Sequence, residues 1–163
     1  MTFKTADLCD AHEAELGKTL RVVAPMFQSY GGKPRFSGEI VTLKIFEDNS
    51  LVRETLAQNG QGKALVIDGG GSLRCALVGD QLAILAAKNG WAGIVVYGCI
   101  RDSGDIAGID LGIRALNTHP QKSIKKGVGE RNIAITFGGV TFHPGQWLYA
   151  DEDGVLVASQ ALL

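Results

Sequence analysis

Two short stretches of the sequence hold residue types that can do chemistry together. Gly79-Asp80-Gln81-Leu82 opens a helical pattern, and Arg101-Asp102 follows a run of apolar residues. The N–H groups that open a helix have no intrahelical partner and sit at the positive end of its dipole, so they favour a carboxylate. Arg101 adds a planar cationic fork suited to a carboxylate or an enolate oxygen. Asp102 adds a hard anionic oxygen suited to Mg²⁺ or Mn²⁺. Together they match a dicarboxylic keto acid and a divalent cation.

Each feature also has a plainer reading. Asp80 can be a first-turn acid favoured by the helix dipole. Arg101-Asp102 can be a surface turn or half of an ion pair. The triplet Gly69-Gly70-Gly71 can simply turn the chain, and with Gly79 it forms neither a dinucleotide fingerprint nor a phosphate loop. His12, His119 and His143 are scattered without ligand spacing. Ser72 lies outside any GxSxG elbow. A Schiff-base lysine needs a desolvated site; Lys44, on a strand, is the one lysine placed for that, and Lys122, Lys125 and Lys126 read as a wet loop.

The elements that must position these residues are legible in the middle of the chain. Ala64-Leu65-Val66-Ile67 is a continuous apolar run, suited to a strand buried on both faces, and it leads into Asp68-Gly69-Gly70-Gly71. The pattern predicts a helix from about Gly79 to Lys88, closed by Asn89-Gly90. Gly93 to Tyr97 is a second buried strand, and Gly98 to Asp102 leaves its carboxyl end. Ligands of open α/β sheets favour that end of the strands.

Around this βαβ-like middle the reading is coarser. Thr5 is placed to cap a helix through about Glu15, and Val22 to Ala24 is a short extended segment stopped by Pro25. Tyr30 to Pro34 is a loop. Gly38 to Phe46 alternates as a half-buried strand. Asn49 or Ser50 caps a helix to about Gln58. A short helix is expected from Ile106 and a strand at Ile113 to Leu116. Gln121 to Arg131 is an exposed loop. Ile133 to Phe137, Val140 to Phe142 and Val155 to Ala158 are antiparallel strands. The expected class is α/β with a mixed sheet, in a single domain over 1–163.

Composition narrows the function classes. The 163 residues fit one sizeable core, and a formal net charge of −1 argues against a general binder of nucleic acid or anionic membrane. Three widely spaced cysteines, Cys9, Cys75 and Cys99, form no CxxC pair and read as reduced, mostly buried thiols. The N-terminal stretch has no apolar signal core, and no run is long enough to span a bilayer. A cytoplasmic protein without direct nucleic-acid or membrane contact is expected. The 22 glycines are aperiodic and stand at element ends, which predicts tight turns and close backbone approaches.

Over nearly its whole length the sequence resembles the regulator of ribonuclease activity A family, which includes the 4-hydroxy-4-methyl-2-oxoglutarate aldolases. The landmarks are Asp7-Leu8-Cys9-Asp10, Phe46-Glu47-Asp48-Asn49, Val66 through Ser72, Tyr97-Gly98, Phe137 through Phe142 and Tyr149-Ala150-Asp151. The family's enzymes carry an acidic residue, twenty intervening residues and then Arg-Asp. Here Asp80, residues 81–100 and Arg101-Asp102 complete that motif.

The resemblance implies a swivelling β/β/α domain, assembled as a homotrimer with sites near subunit interfaces. It implies that Gly79, Asp80, Gln81, Leu82 and Arg101 bind substrate, that Arg101 and Asp80 serve catalysis, and that Asp102 holds Mg²⁺ or Mn²⁺. The implied reaction is metal-dependent cleavage of 4-hydroxy-4-methyl-2-oxoglutarate to two pyruvates. Oxaloacetate decarboxylation would share the same pyruvate enolate. Regulators of the family that lack aldolase activity break the motif at its last aspartate, which is intact here. Longer enzymes carry a C-terminal extension that reaches a neighbouring subunit's site. This sequence runs to Leu163, soon after its last predicted strand, so no such contribution is expected. The alternative implied by the shorter relatives is a protein-binding regulator that inhibits ribonuclease E. A methyltransferase, an older label for the family, has little support, since no glycine-rich fingerprint follows the first strand.

Overall fold

The computed structural model describes residues 2–163. In chain order the elements are α1 (Thr5–Ala11), a 3-10 turn (Glu13–Glu15), β1 (Leu20–Val22), β2 (Gln28–Tyr30), β3 (Phe36–Lys44), α2 (Ser50–Leu56), β4 (Lys63–Asp68), β5 (Ala76–Val78), α3 (Asp80–Lys88) and β6 (Gly93–Ile100). There follow α4 (Ser103–Ile106), β7 (Gly112–Thr118), β8 (Glu130–Arg131), β9 (Ile135–Phe137), β10 (Val140–Phe142), β11 (Trp147–Asp151) and β12 (Gly154–Ala158).

The apolar runs form the centre. Strands β3, β4, β6 and β7 lie side by side and parallel, with α2, α3 and α4 as the crossovers. The sheet then continues antiparallel on both flanks, β11, β12 and β1 beyond β3 and β2 beyond β7.

Side chains alternate across a strand, so β4 and β6 feed two cores. Leu65, Ile67, Ile94 and Val96 pack with Leu51, Val52 and Leu56 of α2 and Leu82, Ala83 and Ala86 of α3. Ala64, Val66 and Val95 pack the other way, against Ile135, Phe137, Val140 and Phe142 of the β9–β10 hairpin and Leu148, Ala150, Val155 and Val157 of β11 and β12. Each fully buried aliphatic side chain contributes about 1.5–3 kcal/mol of transfer free energy. The layers are hairpin, sheet and helix, the β/β/α arrangement expected. Phe3 and Leu8, from α1 and the segment before it, cover Tyr149 and Leu156 in a third, smaller cluster.

Local chemistry moves several expected boundaries. Helix α1 stops at Ala11, and Thr5 does not cap it. The Thr5 N–H and hydroxyl instead donate to the buried Asp151 carboxylate at 2.6 and 2.7 Å. Asn49 occupies the N-cap position of α2 without a side-chain cap bond, because its amide donates to the Leu77 carbonyl at 3.1 Å. Asp48 takes over the cap, accepting the Ser50 N–H at 3.0 Å and hydroxyl at 2.6 Å. Helix α4 ends at Ile106 rather than starting there, and β2, β5, β8 and β11 lie outside the strands expected from the sequence. The loop from Gln121 to Arg131 is exposed except at Ser123, and its last two residues pair with β3. Cys75 and Cys99 are buried and Cys9 half-buried, all free, and burial pushes each thiol above its ordinary range.

Candidate active site

The twenty-residue spacing has a simple geometric origin. The chain leaves Asp80 along α3 and returns along β6, which lies parallel to β5, the strand that delivers the start of α3. The Arg101 N–H donates to the Val78 carbonyl at 2.9 Å, so the strand end and the helix start are pinned together.

Asp102 is the knot of the site. Its backbone is left-handed, at φ 57° and ψ 36°, a conformation that Asp and Asn tolerate better than other side chains. Its carbonyl accepts the Ile106 N–H at 2.9 Å and so starts α4. Its carboxylate Oδ2 accepts the Asp80 N–H at 3.1 Å, capping α3, and stands 3.9 Å from the Arg101 Nε. Gly79 makes this possible. A Cβ at that position would lie 2.8 Å from Asp102 Oδ2 and 3.4 Å from Arg101 Nε.

All six residues expected from the sequence, Gly79, Asp80, Gln81, Leu82, Arg101 and Asp102, line one cavity of about 120 Å³. One detail differs: the Asp80 N–H is already given to Asp102, which leaves Gln81 and Leu82 as the helix-opening donors.

The same cavity holds residues the sequence did not flag. Asn49, Arg53, Lys122 and Lys125 join its wall. Four cationic side chains thus face the two carboxylates of Asp80 and Asp102. Asn49 Oδ1 is buried and has no hydrogen-bond partner among the described residues. His119 lines an adjoining hollow of about 190 Å³ with Arg101, Asp102, Thr118 and Pro120, its Nδ1 accepting the Gln121 N–H at 3.1 Å. No local motif marks these residues in the sequence.

The donor set suits one kind of metal. Among the described residues no three His, Cys, Asp or Glu side chains cluster as a ready cage. Asp102 offers an exposed carboxylate whose Oδ1 accepts no hydrogen bond within the described chain, and Asp80 lines the same cavity. Mg²⁺ and Mn²⁺ fit such a site, since Mg²⁺ keeps several waters and binds through one or two carboxylates plus substrate oxygens.

Other candidates fall away on geometry. Lys44 is exposed, so it lacks the desolvation a Schiff-base lysine needs. Ser72 Oγ accepts the Arg74 N–H within a turn. A larger hollow of about 510 Å³ lies between the segment from Val22 to Phe27 and the β11–β12 turn. Its buried charges are already committed: Arg114 donates to the carbonyls of Asp151 and Ile113 at 2.8 and 3.3 Å, and Asp151 holds Thr5.

The chain is similar to known proteins over most of its length. The family model RraA-like, described as Aldolase/RraA, matches residues 5–157. A protein of Dechloromonas aromatica (strain RCB), provisionally named a 4-hydroxy-4-methyl-2-oxoglutarate aldolase, is 78% identical over 162 residues, 99% of each chain. The crystal structure of a protein described as S-adenosylmethionine: 2-dimethylmenaquinone methyltransferase from Geobacillus kaustophilus HTA426 superposes with a TM-score of 0.94 at 50% identity, covering 98% of this chain and 97% of that one. The RNA-processing inhibitor RraA from Thermus thermophilis superposes with a TM-score of 0.93 at 42% identity, covering 100% and 96%. No helix among the described residues is long and apolar enough to cross a membrane. With the family model spanning most of its length and relatives alike from end to end, the chain belongs to the RraA-like family.

Proposed function

We propose that this chain is a divalent-metal-dependent aldolase that cleaves 4-hydroxy-4-methyl-2-oxoglutarate to two pyruvates and decarboxylates oxaloacetate. The observation that carries this reading is the convergence of the α3 N-terminus, Arg101 and Asp102 on one cavity. The name of the 78% identical relative supports the aldolase part of this reading.

The chemistry follows from where charge develops. Retro-aldol cleavage breaks the C3–C4 bond, the 4-hydroxyl loses its proton, and the electron pair moves to the 2-keto oxygen as pyruvate enolate. Decarboxylation of oxaloacetate leaves the same enolate and releases CO₂. Protonation at C3 completes pyruvate in both cases. The N–H groups of Gln81 and Leu82 hold the C1 carboxylate at the positive end of α3. Arg101 directs its guanidinium at the developing oxyanion, an interaction stronger in the transition state than in the ground state. Asp80 orients a water for proton transfer. Asp102 would hold Mg²⁺ or Mn²⁺, which would supply Lewis-acid polarisation of the keto oxygen.

The test is oxaloacetate decarboxylation by purified protein with and without Mg²⁺. Turnover that requires the cation is expected. Its absence, in a folded protein under both conditions, would remove the reading. The proposed assembly is a homotrimer, and light scattering that shows a stable monomer at micromolar concentration counts against it.

The likeness to the RNA-processing inhibitor RraA favours a second reading, inhibition of ribonuclease E through surface contact. A surface contact need not use the cavity, so both activities can coexist. A pull-down in which neither wild type nor Asp102→Ala retains ribonuclease E would eliminate this one.

A further inference from the structure

The loop after β7 does not float in solvent as its composition suggests. It is strapped to the start of α2. The Lys126 and Val128 N–H groups donate to Asp48 Oδ2 at 2.9 and 3.2 Å, and the Gly127 N–H donates to Ser50 Oγ at 3.1 Å. The Ile124 N–H donates to the Glu47 carbonyl at 3.1 Å, and the Asn49 N–H to Ser123 Oγ at 3.2 Å. Asp48 and Ser123 are buried, at 2% and 4% exposure, so water competes little for these bonds.

The strap has an electrostatic cost. It brings Lys122 and Lys125 to the cavity that already holds Arg53 and Arg101, against only two carboxylates. Free lysines on a mobile loop would separate into solvent to relieve that repulsion. Holding them together prepares a place for an anion in a chain whose net charge is −1. The α3 amides and Arg101 account for one carboxylate, and three further cations remain.

We propose that Arg53, Lys122 and Lys125 form a second-carboxylate subsite that selects dianionic keto acids over monoanionic ones, with Asp48 as the positioning residue that holds the lysine loop over it. This rests on the keto-acid reading of the cavity and names what that reading leaves open, how the far end of the substrate is recognised.

The probes are 2-oxoglutarate and 2-oxovalerate, five-carbon keto acids that differ by a carboxylate in place of a methyl group. Their dissociation constants are measured by calorimetry on wild-type protein, with and without Mg²⁺. Wild type should prefer 2-oxoglutarate, and the preference should shrink with added salt because the cations are exposed. Arg53→Gln and Lys122→Gln should each cut the preference by about three- to tenfold, the worth of a partly screened charge-assisted hydrogen bond. Asp48→Asn should lower affinity for 2-oxoglutarate more than for 2-oxovalerate, whereas mere structural damage would lower both in proportion. Ser123→Ala loosens the same strap at a neutral residue, so a poorly folding Asp48→Asn does not end the test. Wild type that binds both acids equally overturns the subsite and leaves the keto-acid reading standing. Wild type that binds neither overturns both. An unchanged preference in all four variants overturns the assignment of these residues.

Discussion

Replacing Asp102 by asparagine separates its chemical role from its structural one. The carboxylate caps α3 through the Asp80 N–H, and the residue sits in a left-handed conformation at the start of α4. Asparagine keeps an acceptor oxygen and tolerates that backbone. It loses the negative charge, and with it a charge–dipole interaction of about 0.3–1 kcal/mol. For a chain of this size that is a melting-temperature drop of about 1–4 °C. Alanine also loses the cap, about 1 kcal/mol, and puts a Cβ without a polar head into the left-handed region, about 1 kcal/mol more. The expected drop for Asp102→Ala is therefore about 5–12 °C. Catalysis should order the variants differently. Both lack the anionic donor, and a Lewis acid contributes several kcal/mol, so both should lose at least about a hundredfold in Mg²⁺-dependent decarboxylation. The assay is oxaloacetate turnover in chelator-stripped buffer with titrated Mg²⁺, beside thermal unfolding of the same samples. Wild-type turnover by Asp102→Asn would refute the metal assignment. Equal melting temperatures for the two variants would refute the capping argument.

Arg101→Lys keeps the charge and loses the planar fork; it should still bind metal yet lose about 2–4 kcal/mol of transition-state stabilisation, roughly thirty- to a thousandfold in kcat/KM. Gly79→Ala should fold, since φ is −119° there, but its methyl must displace the Asp102 carboxylate from the start of α3, so turnover should fall and loss of the cap should lower the melting temperature by about 2–4 °C. Asp48 gives a pH signature. Burial alone would raise its carboxyl, but the Ser50 hydroxyl and the Ser50, Val128 and Lys126 N–H groups outweigh that and hold it at about 2. Its stabilisation is complete above the unfolded value near 4 and is lost as pH falls toward 2. Denaturant unfolding should show a loss of roughly 2 kcal/mol across that window in wild type beyond what Asp48→Asn shows.

The parallel centre was legible because its strands are buried on both faces and carry unbroken apolar runs, as at Ala64 to Ile67. Helix α3 was legible from its acidic start and its Asn89-Gly90 stop, with Gly90 at a positive φ of 83°. Strand β11 was not, because Trp147 to Asp151 carries no clean alternation, and what places it in the sheet beside its hairpin partner β12 is β3, which lies in the first third of the chain. Thr5 was misread for a related reason: its helix-capping chemistry is local, but a buried carboxylate 146 residues away competed for it. The same holds in the site. The motif residues lie on one βαβ crossover and could be read together. Lys122, Lys125 and Arg53 arrive through hydrogen bonds that link the lysine loop to Asp48 across 78 and 80 residues, which no periodicity records.

The sheet order also sets a timetable for folding. Strands β3, β4, β6 and β7 are joined by short crossovers and can assemble in sequence as the chain emerges. Strand β3 nevertheless keeps one edge bare until β11 arrives to pair with Phe36 through Glu39. Because β11 follows β7 in the chain, a nascent chain that has formed only β3 to β7 leaves that edge, with its apolar Phe36 and Ile40, without its partner. Bare strand edges recruit other chains. Crowded polysomes are thus where this fold is most vulnerable to misassembly, and the late β11–β12 hairpin is what closes that window.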